Sequence, residues 1–332
     1  MAEYRFQQQA DALWYVGVGR AEIRPEPVRE PAQGEVLVRA LHGALSRGTE
    51  ALVYTGKVPE SEFDRMRGPY MGGAFPFPVK YGYQLVGQVE QGPPELLGQT
   101  VFALHPHQTF ATLPADAVTP LPPGLPPARA VLAANLETAL NAVWDAGAAP
   151  GDRIAVVGAG VIGALVAWLC GRLPGAEVTL IDINPSRAQL ARILGLGFAL
   201  PEVGPADCDI VFHASASAPG LATAIALAGE EASIVELSWY GSGDVPVALG
   251  GSFHSRRLRL VASQVGKVAP SHRARWPHRR RLAAALGLLA DPRLDALLAP
   301  PVAFHDLPAQ LGRILAPGSG VLCQRIDYPT SP

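Results

Sequence analysis

The sequence predicts a two-domain α/β protein: a β-rich first domain, then a doubly wound parallel sheet, then a segment that returns to the first domain. Three observations carry this. Up to about residue 125 the chain is written in short β-branched runs separated by Gly and Pro. Beyond the proline-rich seam LPPGLPPARA (121–130), apolar strands alternate with helical stretches, the pattern of a parallel sheet covered on both faces. A glycine triplet with dinucleotide-binding spacing stands at the first strand-to-helix junction of that second part.

The first domain is expected over 1–128. Its strands are read from GEVLVRALHGAL (34–45), YQLVGQVEQ (83–91), QTVFALHP (99–106) and QTFATLPADAVTPLP (108–122). Between them, Thr55 to Pro78 lacks a period and is dense in Gly, Pro and Met, so it reads as a long irregular excursion of the functional kind. Ala130 to Ala146 has helical apolar spacing and stops at Gly147. The second domain, 129–267, then alternates RIAVVGA, a helix from Val161, EVTLIDI, a helix from Pro185, CDIVFHAS, a helix over 221–228, ASIVELSWYG and LRLVASQ. The return segment, 268–332, carries a helix (279–290), an apolar strand (299–304), a helix (307–315) and a last strand, GVLCQRIDY.

Composition narrows the classes. The 332 residues suggest about two domains, and 48% hydrophobic with 17% charged residues is globular composition. A net charge of −2 gives no global attraction to nucleic acid or an anionic membrane. Three isolated cysteines exclude a disulfide framework and a zinc finger, and point to a reducing compartment. The opening MAEYRFQQQADAL lacks a basic region followed by an apolar stretch, and the most apolar segment, 161–170, is too short to span a bilayer. A cytoplasmic protein without membrane or nucleic-acid partners is expected. The basic run HRARWPHRRR (272–281) reads as a solvated face, or one that pairs with acidic residues or a phosphate-bearing substrate.

The chemistry-bearing signal is Gly158-Ala-Gly160-Val-Ile-Gly163, directly after the strand RIAVV and opening an apolar helix. Gly158 allows the tight turn, Gly160 lets backbone approach a pyrophosphate, and Gly163 lets helix and strand pack closely. The free N–H groups of the helix start, at Val161 and Ile162, then hold phosphate. Asp182 ends the next strand 19 residues beyond Gly163 and can accept from both ribose hydroxyls. A carboxylate there repels a 2′-phosphate, so the cofactor is expected to be NAD. Arg187, a turn into the next helix, argues the other way, stacks on adenine or stays solvated.

SRGTE (46–50), FPVKYGYQLVG (77–87), HPHQ (105–108) and NLETALNAV (135–143), with the order of the domains, resemble the medium-chain dehydrogenase/reductase superfamily, in its bacteriochlorophyllide a dehydrogenase-like branch. The resemblance covers essentially the whole chain. It implies a GroES-like catalytic domain beside a Rossmann domain, and a homodimer through the Rossmann edge strand. It also implies cofactor contacts from Thr138, Ser215, Leu237 and Gln264.

Zinc-dependent members of this superfamily take ligands from a Cys-x-Thr-Asp motif, a Gly-His-Glu motif and a residue ahead of the helix entering the cofactor domain. Here those places hold Arg47, Tyr83 and Ala134, none a usual zinc ligand, so no metal is expected. An alkoxide formed in hydride transfer then needs another stabiliser and a proton route. Tyr83 is a candidate donor, Thr49 a candidate relay, and Arg47 a cation able to depress the phenol. Each has a bland alternative: Tyr83 a packed aromatic, Thr49 a half-buried strand-end residue. Glu137 either acts as a general base or pairs with an arginine. His105 or His107 either reaches the substrate or stays solvated.

The reading is a zinc-independent oxidoreductase moving a hydride between NAD(H) and a secondary alcohol or ketone, a small-molecule substrate. Two alternatives stay open: an NADPH-dependent C=C reductase of the quinone/enoyl type, and a protein that binds NAD without turnover.

Overall fold

The computed structural model describes residues 8–329. The chain divides into two compact units: Met1–Ala134 with Leu286–Ala290 and Leu298–Pro332, and Asn135–Ala285 with Asp291–Leu297.

In the first unit, a seven-stranded sheet runs in the order Leu298–Ala303, Cys323–Asp327, Glu35–Leu45, Leu85–Gln91, Thr100–Ala103, Val118–Pro120, with Phe110–Pro114 also paired on Glu35–Leu45. The returning strand Cys323–Asp327 pairs antiparallel with Glu35–Leu45, from Gln324↔Leu45 to Asp327↔His42. A second sheet of four strands is ordered Arg20–Pro27, Gln9–Gly17, Val79–Lys80, Gly72–Gly73. Its first two strands were not expected. Arg20–Pro27 alternates partly buried and exposed residues and holds prolines at Pro25 and Pro27, which suits only a sheet edge. A second departure is the helix Arg47–Tyr54, which takes in the whole of RGTEALVY. Glu50 and Val53, three apart, are its buried face. Thr49 is therefore helical, not a strand-end residue. The 55–78 excursion holds only a short 3₁₀ turn, Glu60–Glu62, and the strand Gly72–Gly73.

The second unit is built on a six-stranded, all-parallel sheet in the order Gly197–Ala199, Glu177–Ile181, Arg153–Val157, Cys208–His213, Ala228–Glu236, Arg259–Ala262. In chain order that is third, second, first, fourth, fifth, sixth, the arrangement of dinucleotide-binding doubly wound sheets. The order reverses between Arg153–Val157 and Cys208–His213, which meet at Val157↔His213. Near-continuous apolar strands follow from burial on both faces: Ile154, Ala155, Val156, Val211 and Phe212 are inside. The helix Val161–Cys170 is apolar almost all round and almost wholly buried.

The unit boundaries differ from 128 and 267. The second unit keeps residues up to Ala285 because Arg281, 1% exposed on the helix His278–Leu288, is bound into it. Its guanidinium donates to Glu137 (3.0 Å), to Asn141 (2.5 Å) and to the Val265 carbonyl (2.5 Å). The basic run is thus only partly a solvated face. Trp144, His272 and Trp276 add an aromatic stack, with Trp144 and His272 parallel at 4.0 Å. Among the described residues, no helix is long and apolar enough to cross a membrane.

Candidate active site

The glycine loop lies at the carboxyl end of the sheet, where the strand order reverses. Gly158 has φ +107°, and a Cβ there would stand 2.7 Å from the Ser215 backbone nitrogen. A Cβ on Gly163 would stand 1.9 Å from the Gly158 carbonyl oxygen, so only glycine lets the helix start press against the loop. Gly160 precedes the helix in extended conformation with open space where a Cβ would be, and Val161 and Ile162 begin the helix, half-buried. Asp182 closes the arrangement: one carboxylate oxygen accepts from Ala159 N–H (2.7 Å), the other from Asn184 N–H (2.8 Å). These residues fit a dinucleotide, with phosphate at the helix start and ribose at Asp182.

The remaining expected contacts are placed as follows. Ser215 abuts Gly158, and its hydroxyl lies 2.7 Å from His213 Nε2 and 2.9 Å from Ser217 Oγ. Leu237 N–H donates to the His213 carbonyl (2.9 Å). Gln264 turns its side-chain oxygen back onto Gly266 N–H (2.6 Å). Thr138 is half-buried on the helix Ala133–Ala146, and Arg187 opens the helix Arg187–Leu194.

In the first unit, Tyr83 and Thr49 do come together. The Tyr83 hydroxyl donates to Ser46 Oγ and reaches Thr49 Oγ1 at 3.4 Å. Ser46 precedes the helix Arg47–Tyr54, and its N–H donates to the Glu50 carboxylate within that helix at 2.7 Å. Glu50, fully buried, also accepts from the Tyr15 hydroxyl (2.6 Å) and lies 2.9 Å from His107 Nε2. His107 Nδ1 is buried without a hydrogen-bond partner among the described residues. Ser46, Glu50 and Tyr15 were missed in the sequence, since Glu50 stands four rather than three residues after Ser46 and so lacks the spacing of a capping box.

Two expectations are corrected here. Arg47 does not depress the Tyr83 phenol: its guanidinium donates to the carbonyls of Ile314 (3.0 Å), Ala316 (3.1 Å) and Val321 (2.5 Å), clamping the return segment. Burial instead pushes the Tyr83 phenol up to about 12, against the lowering pull of Ser46 and Thr49. His105 is buried rather than solvated, stacked on Tyr70 with ring centroids 5.6 Å apart, and Nδ1 lies 2.9 Å from the Pro106 carbonyl. Burial lowers it to about 4, which keeps it neutral and a weak base near pH 7. Glu137 takes the second of its two expected roles, pairing with Arg281; burial raises its carboxyl while Arg281 pulls it back down.

The residues do not fit a catalytic zinc. Arg47 is spent on carbonyls, Ala134 has no donor, and a phenol raised to about 12 is a poor ligand at neutral pH. Among the described residues, no three His, Cys, Asp or Glu side chains converge as a metal site.

The fold is shared with solved dehydrogenases, and the curated proteins the chain is similar to are dehydrogenases. The chain resembles 2-desacetyl-2-hydroxyethyl bacteriochlorophyllide A dehydrogenase of Cereibacter sphaeroides, 35% identical over 68 residues, 20% of this chain and 18% of that one. It also resembles 2-dehydro-3-deoxy-L-galactonate 5-dehydrogenase of Pseudoalteromonas atlantica, 27% identical over 173 residues, 49% of this chain and 50% of that one. The chain thus matches at most half the length of these relatives. Among solved structures, L-idonate 5-dehydrogenase of Escherichia coli superposes with a TM-score of 0.79 at 16% identity, covering 97% of this chain and 99% of that one. An alcohol dehydrogenase of Escherichia coli solved with NADH gives 0.77 at 14% identity, covering 96% and 99%. No family model matches the chain.

Proposed function

We propose that the protein is an NAD(H)-dependent oxidoreductase that interconverts a secondary alcohol and its ketone without zinc. The observation that carries this reading is Tyr83, a protonated phenol joined to Ser46 and Thr49, at the position that the motif resemblance assigns to a metal ligand in zinc-dependent dehydrogenases. When bound, the nicotinamide would supply or accept the hydride. Tyr83 then donates its proton to the carbonyl oxygen during reduction, and the hydroxyls of Ser46 and Thr49 stabilise the phenolate until it is reprotonated. In oxidation the same proton returns to Tyr83. Such a donor acts through electrostatic stabilisation of the developing alkoxide.

NAD is favoured over NADP because Asp182 presents a carboxylate at the ribose end of the glycine loop. A homodimer is supported by the edge strand Arg259–Ala262, which exposes Leu260 and Val261. Three free, buried cysteines support a reducing, cytoplasmic setting.

The test is turnover with NADH on a panel of ketones and activated alkenes. Tyr83→Phe is expected to lower kcat on the ketone found by about 10²–10³-fold, with NADH affinity unchanged. Elemental analysis of chelator-free protein is expected to find well under one zinc per chain. Stoichiometric zinc, turnover confined to alkenes, or NADH binding without any turnover would each overturn the reading.

A further inference from the structure

The parallel sheet ends in a polar cluster that the hydride-transfer reading does not use. His213 closes the strand Cys208–His213 and stands beside Glu236, its register partner at the end of Ala228–Glu236. The imidazole is fully buried, with Nδ1 2.7 Å from Glu236 Oε2 and Nε2 2.7 Å from Ser215 Oγ. The Tyr240 hydroxyl donates to the same Glu236 oxygen (3.0 Å) and lies 3.2 Å from Nδ1. Ser238 ties the two loops together: its N–H donates to Glu236 Oε1 (2.7 Å), and its hydroxyl oxygen accepts from Ala216 N–H (3.0 Å). Ser217 accepts from Gly220 N–H at the start of the helix Ala218–Leu227 (3.1 Å).

This cluster is fitted to the glycine loop, not merely near it. The Ser215 backbone leaves no room for a Cβ on Gly158. Gly220 is equally constrained, since a Cβ there would lie 2.0 Å from Ser215 Oγ and 2.8 Å from His213 Nε2. The first turn of the following helix therefore sits directly on the Ser215–His213 bond.

Hydrogen-bond chemistry gives the arrangement two states. Beside an ionised Glu236, Nδ1 carries a proton in both. With Nε2 bare, Ser215 must donate to it and offers only lone pairs elsewhere. With Nε2 protonated, the imidazolium donates to Ser215 and frees the serine hydrogen for another acceptor. The second state also sets a positive charge at the end of the sheet where an anionic dinucleotide is expected.

We propose that His213 is a positioning residue of the dinucleotide pocket, which sets whether Ser215 donates or accepts and takes up a proton when the dinucleotide binds. This rests on the cofactor reading above. The groups facing the imidazole are Glu236, Tyr240, Ser215 and Ser238, and imidazole is the side-chain type that can exchange a proton between about pH 5 and 8.

The experiment is calorimetric titration of the full chain with NADH, at several pH values and in two buffers of different ionisation enthalpy, which counts protons. Between about pH 6 and 8 the wild-type Kd is expected to rise about three- to tenfold, with a fractional proton taken up per NADH. His213→Asn is expected to bind with almost no uptake. Ser215→Ala keeps the imidazole in place, so it tests the same linkage if the strand-end variant does not fold, and its uptake is expected to fall by at least about half. A wild-type enthalpy independent of buffer would overturn the proposal, as would equal proton counts in Ser215→Ala and wild type. Absence of NADH binding would instead overturn the cofactor reading, and this proposal with it.

Discussion

Replacing Arg281 with methionine keeps much of the side-chain volume and removes the charge. The guanidinium is the partner of Glu137 at 3.0 Å, and both side chains are almost completely buried, 2% and 6% exposed. It also occupies Asn141 Oδ1 and the Val265 carbonyl. Leaving one member of a buried pair uncompensated costs about 3–5 kcal/mol. For a unit of this size that corresponds to a fall in Tm of roughly 6–20 °C. The pH dependence has a definite sign. Burial already raises Glu137 above the ordinary carboxyl range, and Arg281 works against that rise. Without the arginine the carboxyl moves higher still, so the folded state holds a proton that the unfolded chain has released. The loss is therefore smallest below the ordinary carboxyl pKa and grows as pH rises towards neutrality. Denaturant unfolding of Arg281→Met near pH 5 and pH 8 measures it, and Arg281→Met/Glu137→Gln should recover more than half. A loss under about 1 kcal/mol, or a double variant no more stable than the single one, would refute the pairing as a structural element.

Asp182→Ser should narrow the preference for NADH over NADPH, measured by calorimetry; an unchanged ratio would show that Asp182 does not select the cofactor. Gly163→Ala forces a Cβ into the Gly158 carbonyl, so it should weaken NADH binding at least about tenfold and lower stability by about 1–3 kcal/mol, read from a binding titration and a melt. His105, lowered by burial to about 4, binds its proton more weakly folded than unfolded. Stability should therefore fall as pH drops from about 6.5 to 4, by at most about 3 kcal/mol for this residue, and His105→Asn should flatten that part of the curve.

The glycine loop, with the strand and helix that flank it, was legible in the sequence because its constraints are local. Gly158, Gly160, Gly163 and Asp182 act through backbone turn, helix start and strand end, and each sits within a few residues of the element that needs it. The alternation after residue 130 likewise announces a parallel sheet, since burial on both faces leaves apolar strands with no polar phase. Strand order was not legible: nothing near Cys208–His213 says that it lies beside Arg153–Val157, and only the sheet sets His213 and Glu236 in register. Arg47 and Arg281 show the same limit. Each reads as an available cation, and tertiary contacts hundreds of residues away for Arg47, and 144 residues away for Arg281, give it carbonyl or carboxylate partners. Tyr83 could be named from its motif, but its partner Ser46 and its raised phenol depend on burial, which packing decides. The sequence by itself determined the two-part architecture and the glycine loop, because periodicity and short-range spacing suffice for both. Which charged side chains stay available for chemistry was decided only by tertiary structure, because a long side chain's partner is whichever buried oxygen the fold brings within reach.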